Sequence, residues 1–155
     1  MKQKICLLTL LILIASVTTV QAAAPKITDI QVAGNKLISD QKVIDEMKTK
    51  VGDEVKRDQL KKDLQSIIDL GYFSNVTVDF KPYQAGVRLI VKVTENPILT
   101  GIKIKGNQVV KEAKLKELLG LKKGKIINSK QVKKGIEQIE GYYGKQGYAL
   151  ARVIN

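Results

Sequence analysis

The chain is a strongly basic polypeptide of 155 residues, with 27 lysines and arginines against 15 acidic residues and a formal net charge of +12. It has no histidine, and its one cysteine, Cys6, lies near the amino terminus. This composition excludes histidine- or cysteine-based metal sites and catalysis by a nucleophile paired with histidine.

The first 22 residues have the layout of a secretory signal peptide. Lys2 and Lys4 give a positive start, an apolar run follows, and Val20-Gln21-Ala22 has the small-x-small pattern of a cleavage site. We therefore predict cleavage after Ala22. The alternative is a retained membrane anchor, but the apolar run is shorter than the ~20 residues that a spanning helix needs.

The basic residues of the mature chain are mostly lysines spread along its whole length. Nucleic-acid modules usually gather arginines and stacking aromatic residues on one face, so we do not expect a nucleic-acid partner. A solvated lysine surface is the simpler interpretation. A peripheral protein that binds anionic lipids through these lysines is an alternative.

Hydrophobic periodicity predicts a unit made of a strand, two helices and two further strands. Ser39 is suited to cap the first helix, and Asp58 to cap the second, which is predicted to end at Leu70. The three predicted strands are Pro25 to Val32, Asn75 to Phe80 and Val87 to Val93. The loop between the last two strands is predicted from Lys81 to Gly86.

Gly71 marks the point where the helical period changes to the two-residue period of a strand. A glycine at the end of a helix commonly takes the left-handed conformation, which the missing Cβ makes accessible. Tyr72 and Phe73 follow at once, and two aromatic rings at a corner between helix and sheet are expected to be part of the core.

The pattern of the first unit starts again at an offset of 72 residues. Gly106-Asn107 repeats Gly34-Asn35, Gly124 repeats Gly52, and apolar positions of both helices also agree. Gly147-Tyr148 repeats the Gly71-Tyr72 corner and is followed by a predicted strand from Ala149 to Ile154. We interpret this as an internal repeat.

The sequence resembles tandem POTRA domains, the polypeptide-transport-associated repeats of outer-membrane barrel assembly and secretion proteins. Three segments carry the resemblance: Ile30 to Asn35, the corner from Gly71 to Val76, and Val91 to Pro97. The resemblance implies a periplasmic location, recognition of unfolded outer-membrane proteins, and neither catalysis nor a cofactor. It also implies other subunits of an assembly complex and a carboxyl-terminal barrel, which this sequence lacks.

The predicted fold class is α+β, with each repeat a three-stranded mixed sheet covered on one face by two antiparallel helices. The predicted boundaries are 1–22 for the signal peptide, 23–95 for the first domain and 96–155 for the second. Only seven residues follow Tyr148, so the second repeat is expected to lack its last strand. We expect a fragment of a longer protein.

In the first repeat, the third strand is expected at the centre of the sheet, which leaves the second strand on an open edge. This edge is the candidate peptide-binding site: Asn75, Val76, Thr77, Val78, Asp79 and Phe80. An open edge can bind an extended chain through its main chain. Glu95, Asn96 and Pro97 form the candidate junction between the repeats. One alternative remains within the family, a membrane-anchored interaction module like the single POTRA unit of the division septum protein.

Overall fold

The computed structural model describes residues 24–154. The predicted signal peptide and its cleavage site at Ala22 lie outside the described residues. No helix within residues 24–154 is both long enough and apolar enough to cross a bilayer.

The protein has an α+β fold in which a complete first repeat is followed by a second pair of helices. In the first repeat the elements are β1 (Ile27–Ala33), α1 (Asp40–Asp45), α2 (Arg57–Asp69), β2 (Phe73–Tyr83) and β3 (Gly86–Glu95). In the second repeat they are α3 (Glu112–Leu119) and α4 (Ser129–Lys145).

The three strands form one mixed sheet in the order β1-β3-β2. β3 is parallel to β1 and antiparallel to β2. Val91, at the middle of β3, is aligned with Val32 on one side and with Val78 on the other. The predicted strand order is therefore confirmed, with the last strand at the centre.

The core of the first repeat lies between one face of this sheet and the two helices. Leu89 and Val91 of β3 are fully buried, as are Val43 of α1 and Ile67 of α2. Burying an aliphatic side chain of this size contributes about 1.5–3 kcal/mol, so these contacts hold the helices against the sheet.

The ends of the helices follow the capping expectations in part. Ser39 caps α1, where its side chain accepts a hydrogen bond from the Lys42 backbone N–H. The prediction that Asp58 caps α2 is wrong, because the N-cap residue is Lys56 and Asp58 lies in the first turn. A carboxylate in the first turn still interacts favourably with the positive end of the helix dipole.

The hairpin between β2 and β3 is tighter than predicted. The loop predicted from Lys81 to Gly86 is reduced to a turn at Gln84 and Ala85, and β2 extends to Tyr83. Pro82 is tolerated because β2 is an edge strand, where a residue without an N–H can lie with its nitrogen away from the partner strand.

The predicted strand from Ala149 to Ile154 is not formed, and residues 101–105, the counterpart of much of β1, are not in a strand either. The reason lies in the topology: β1 and β2 pair with β3 and not with each other. At the offset of 72, the counterpart of β3 would begin at position 158, beyond the residues of this sequence.

Other features of the second repeat reproduce the first. The Gly124 N–H donates to the Leu99 carbonyl over 2.8 Å, as the Gly52 N–H donates to the Ile27 carbonyl over 2.7 Å. Leu115 and Ile139 form a small buried core where α3 packs on α4.

Candidate functional site

β2 presents one unpaired edge, since it pairs with β3 alone among the described strands. β1 is the other outer strand, but its start is covered by the chain that precedes α2. The Ile27 N–H donates to the Asp53 carbonyl over 2.8 Å, and Lys26 forms a bridge with Glu54. The longer and more open edge is therefore that of β2.

The two-residue turn determines which backbone groups of β2 point outward. In such a hairpin the flanking residues, here Tyr83 and Gly86, form a hydrogen-bonded pair. Hydrogen-bonded and non-hydrogen-bonded pairs then alternate along an antiparallel ladder. The inward set is therefore Tyr83, Lys81, Asp79, Thr77 and Asn75, and the outward set is Pro82, Phe80, Val78 and Val76.

Pro82 agrees with this assignment, because it occupies an outward position where no ladder bond needs its missing N–H. The outward donors in the predicted binding stretch are the N–H groups of Val76, Val78 and Phe80.

The side chains of the candidate edge divide between the two faces of the sheet. Val76 is buried against the helices and Val78 is half-buried, whereas Phe80 is 41% exposed. On the opposite face, Asn75, Thr77 and Asp79 are exposed, and the Asp79 carboxylate forms an ion pair with Lys92 of β3. The backbone edge is thus accompanied by one accessible aromatic ring and a polar outer face.

The corner before β2 is part of the core, as expected. Phe73 is 4% exposed and belongs to the main hydrophobic cluster, and Tyr72 packs against the same cluster while its ring lies 4.8 Å from the Lys42 ammonium nitrogen. The register shifts between Phe73 and Asn75, so a bulge marks the start of the edge.

Glu95 is the last residue of β3, and its side chain is hydrogen-bonded to the loop after β1. Its carboxylate accepts hydrogen bonds from the backbone N–H groups of Lys36, Leu37 and Ile38 over 2.7 to 3.1 Å. Burial raises the pKa of Glu95, but these N–H groups and the charge of Lys36 outweigh that effect and hold the pKa below its usual value.

Asn96 bridges the two repeats through its side chain. Its amide Nδ2 donates to the Gly71 carbonyl and to the Ile127 carbonyl, each over 2.9 Å, and its own N–H donates to the Tyr72 carbonyl over 2.8 Å. The Pro97 carbonyl accepts from the Ile127 N–H over 2.9 Å. The candidate junction residues therefore lie where the corner of the first repeat meets the start of α4.

Asn128 completes this contact from the second repeat. Its side chain caps α4 by accepting from the Gln131 N–H over 3.1 Å, and it donates to the Leu70 carbonyl over 2.7 Å. Gly71 lies directly against it, with φ of +81°, and a Cβ at Gly71 would approach the Asn128 Oδ1 to 2.6 Å. The left-handed glycine predicted at this corner is confirmed.

Asp63 is a buried polar residue that the sequence analysis did not identify. Its carboxylate accepts hydrogen bonds from the Lys48 N–H, the Thr49 N–H and the Gln59 side chain. Burial raises its pKa, but the bonds from Thr49, Lys48 and Gln59 together lower the pKa below the ordinary value. The helical spacing could have indicated this burial, because Asp63 lies between Leu60 and Ile67 on the apolar face of α2.

The described residues contain no group of three or more acidic or sulfur-containing side chains placed to hold a metal ion. What the site offers chemically is main-chain hydrogen bonding along a strand edge, beside a hydrogen-bonded junction between the repeats.

Comparison with known families places the chain among repeats of this type. The family model described as the surface antigen variable number repeat, POTRA, matches residues 25–96 and 97–155.

Two curated relatives carry the name outer membrane protein assembly factor BamA. The one from Nitratidesulfovibrio vulgaris is 30% identical over 129 residues, which cover 83% of this chain and 16% of the relative. The one from Neorickettsia risticii is 31% identical over 120 residues, which cover 77% of this chain and 16% of the relative. The chain thus corresponds to about one sixth of the length of these relatives.

Two solved structures are similar to this chain over most of its length. The N-terminal domain of Omp85 from Thermosynechococcus elongatus has a TM-score of 0.74 at 29% identity, covering 84% of this chain and 55% of that one. A structure of POTRA1-2 of the periplasmic domain of Omp85 from Anabaena has a TM-score of 0.67 at 28% identity, covering 86% of this chain and 85% of that one.

Proposed function

The chain belongs to the POTRA family, and on that premise we propose that it is a non-enzymatic periplasmic scaffold whose β2 edge binds extended segments of unfolded outer-membrane proteins. The names of the relatives support a role in outer-membrane protein assembly. The observation that carries the proposal for this chain is the unpaired edge of β2.

Binding at this edge uses the main chain, which suits partners that share strand propensity and little sequence. An added strand would receive the N–H groups of Val76, Val78 and Phe80 as donors and extend the sheet beyond β2. The exposed ring of Phe80 offers one apolar contact to such a strand. Specificity would then depend on extended conformation and spacing more than on particular side chains.

The solvent face of β2 protects the empty edge. Asn75, Thr77 and Asp79 are exposed, and Asp79 is paired with Lys92. Polar and charged side chains along an edge reduce unwanted pairing with other edges, so β2 can stay open without promoting aggregation.

The junction around Glu95, Asn96 and Pro97 would fix the direction in which the second repeat leaves the first. Asn96 links Gly71 to Ile127, and these bonds hold both repeats at the corner from which β2 begins. In this proposal the partners are unfolded outer-membrane proteins, other subunits of an assembly complex, and the outer membrane through a barrel on the whole protein. The location is the periplasm.

The experiment compares Phe80→Pro with Phe80→Ala. Both variants remove the aromatic ring, but only proline removes an outward N–H, and it removes no ladder bond to β3. Binding of labelled peptides from outer-membrane strands is measured by fluorescence anisotropy, with circular dichroism to check the fold.

We expect Phe80→Pro to bind the peptides about five- to tenfold more weakly than Phe80→Ala. The lost hydrogen bond is worth about 0.5–1.5 kcal/mol, and the pyrrolidine ring of the proline obstructs a neighbouring strand. Thr77→Ser, on the solvent face, should bind as the parent does. Equal affinity of the folded proline and alanine variants would show that the edge is not the site.

A further inference from the structure

The positive charge of the protein is concentrated in its second repeat. Residues 25–96 carry 12 lysines and arginines against 11 acidic residues, whereas residues 97–154 carry 13 against four. The basic residues are spread along the chain, but most of the acidic residues that would balance them are in the first repeat. Such a charge difference between the two halves of a chain is typical of proteins that contact an anionic surface.

Six lysines form one exposed surface around the start of α4. No acidic residue lies between Glu117 and Glu137, and all six lysines of that stretch are exposed: Lys122, Lys123, Lys125, Lys130, Lys133 and Lys134. The first three lie in the turn before α4, and the last three lie in its first turns at the spacing of one helix face. None of the ion pairs within residues 24–154 involves any of them. We refer to this feature as the six-lysine surface.

The equivalent surface of the first repeat contains acidic residues. At the offset of 72, Lys125 takes the position of Asp53, which precedes α2. Lys130 takes the position of Asp58, in the first turn of α2, where a carboxylate interacts favourably with the helix dipole and a lysine does not. The second repeat has therefore exchanged negative for positive charge at equivalent places.

The exposure of the six-lysine surface does not depend on the sheet of the second repeat. In the first repeat, whose sheet has all three strands, the six equivalent residues are exposed as well: Lys50, Val51, Asp53, Asp58, Lys61 and Lys62. These positions lie away from the core in a complete repeat, so the surface is available to a partner.

An apolar pair lies beside the lysines. Ile98 and Ile126 are opposite each other in an antiparallel bridge, and Ile98 is 48% exposed while Ile126 is half-buried. The equivalent bridge of the first repeat joins two exposed charged residues, Lys26 and Glu54. Apolar side chains next to lysines can enter the interfacial layer of a bilayer while the ammonium groups stay among the headgroups.

The composition of the six-lysine surface indicates which anionic partner it fits. Residues 118–136 contain no arginine, whose planar guanidinium recognises a single carboxylate or phosphate, and no aromatic ring that could stack on a base. Compact ammonium groups on flexible stems, distributed over a turn and a helix face, suit a layer of many negative charges.

We propose that the six-lysine surface, together with Ile98 and Ile126, binds the headgroup layer of an anionic lipid bilayer. The contact holds the second repeat at the membrane surface. It uses no residue of the β2 edge, so it is a second binding function that does not depend on the first.

The test measures cosedimentation of the predicted mature chain, which begins at Ala23, with lipid vesicles at physiological salt. The vesicles contain phosphatidylcholine alone or phosphatidylcholine with about one third of the anionic lipid phosphatidylglycerol. One variant combines Lys133→Glu with Lys134→Glu. The matched control combines Lys61→Glu with Lys62→Glu, because these lysines occupy the equivalent positions of α2 and the change in net charge is the same. Circular dichroism checks the fold of each variant.

We expect the parent to bind the anionic vesicles and not the neutral ones. Each lysine near an anionic surface strengthens binding about fivefold, so Lys133→Glu with Lys134→Glu should weaken it at least about 25-fold. Lys61→Glu with Lys62→Glu should leave binding nearly unchanged, because charges are screened beyond about 8 Å at this salt concentration. Binding should weaken further as the salt concentration is raised.

A second variant isolates the apolar contribution. Ile98→Lys with Ile126→Glu introduces the pair that the first repeat has at these positions, and it leaves the net charge unchanged. We expect about tenfold weaker binding, which corresponds to removing one inserted aliphatic side chain from the bilayer.

Two results would overturn the proposal. One is the absence of binding to the anionic vesicles, and binding of polyglutamate in their place would assign the surface to an acidic protein. The other is an equal loss for the two lysine pairs, which would show that net charge alone attracts the chain. Phe80→Pro should bind vesicles as the parent does, so this proposal and that of the β2 edge fail independently.

Discussion

Gly71→Ala should destabilise the protein more than an alanine substitution at another glycine of positive φ where the added Cβ contacts nothing. Gly71 has φ of +81°, and an alanine held in the left-handed region costs about 1–2 kcal/mol. The added Cβ would also lie 2.6 Å from the Asn128 Oδ1 and 3.0 Å from the Lys130 nitrogen. Asn128 must then move away from the corner.

The size of the effect follows from what Asn128 does there. It caps α4 through the Gln131 N–H, and losing such a cap costs about 0.5–2 kcal/mol. It also donates to the Leu70 carbonyl, a bond worth about 0.5–1.5 kcal/mol. With the strain included, we expect a loss of about 2–5 kcal/mol for Gly71→Ala.

Gly52→Ala is the matched control, because Gly52 has φ of +98° and no atom within 4 Å of the added Cβ. Urea unfolding followed by circular dichroism should show a loss for Gly71→Ala that exceeds the loss for Gly52→Ala by about 1–3 kcal/mol. The excess should shrink in an Asn128→Ala background, since the colliding amide is gone. Equal losses for the two alanine variants would refute the role assigned to the collision.

The strand order could be predicted because few topologies satisfy the connections. A two-helix connection returns β2 antiparallel to the direction of β1, and a short hairpin then returns β3 between them. The outward donors of β2 could not be predicted. They depend on the length of the turn, and Gln84 and Ala85 give no sequence signal for a two-residue hairpin such as an Asn-Gly pair would.

The predicted strand from Ala149 to Ile154 shows a limit of periodicity as a signal. Alternation describes which side chains could face a core, but a strand exists only when its backbone finds a partner. In the first repeat that partner is β3 for both outer strands. The sequence analysis expected the counterpart of β3 to be missing from these residues, yet it still predicted a strand from Ala149 to Ile154.

Asp63 was missed because a carboxylate on a helix is usually assigned to the solvent face. Its counterpart at the offset of 72 is Gly135, where a Cβ would lie 2.6 Å from the Leu119 carbonyl oxygen. In the first repeat the carboxylate holds the Lys48–Thr49 loop after α1. In the second repeat the absence of a side chain allows α3 to approach α4 directly. The two helix pairs thus occupy equivalent places in their repeats but differ in contact: a carboxylate holds the loop after α1 in the first, and a close approach of α3 to α4 takes its place in the second.

Three further predictions concern processing, burial and pH. Amino-terminal sequencing of the exported protein should begin at Ala23, and a mature form that starts at Met1 would contradict cleavage after Ala22. Asp63→Asn should lower the free energy of unfolding by at least about 2 kcal/mol in urea titrations, because its buried N–H donors lose a charged acceptor. A loss near zero would show that a neutral amide serves these donors as well as the charged carboxylate does. Glu95 should make stability depend on pH in the acid range. Its folded pKa lies below the ordinary value of 4.5, so the stabilisation is complete above that pH and is lost as the pH falls through the folded pKa. Glu95→Gln should therefore be less stable than the parent at pH 7, and the difference between the two should narrow as the pH is lowered. A difference that stays constant from pH 7 to pH 3 would mean that the Lys36–Ile38 loop is not held by the charge of Glu95.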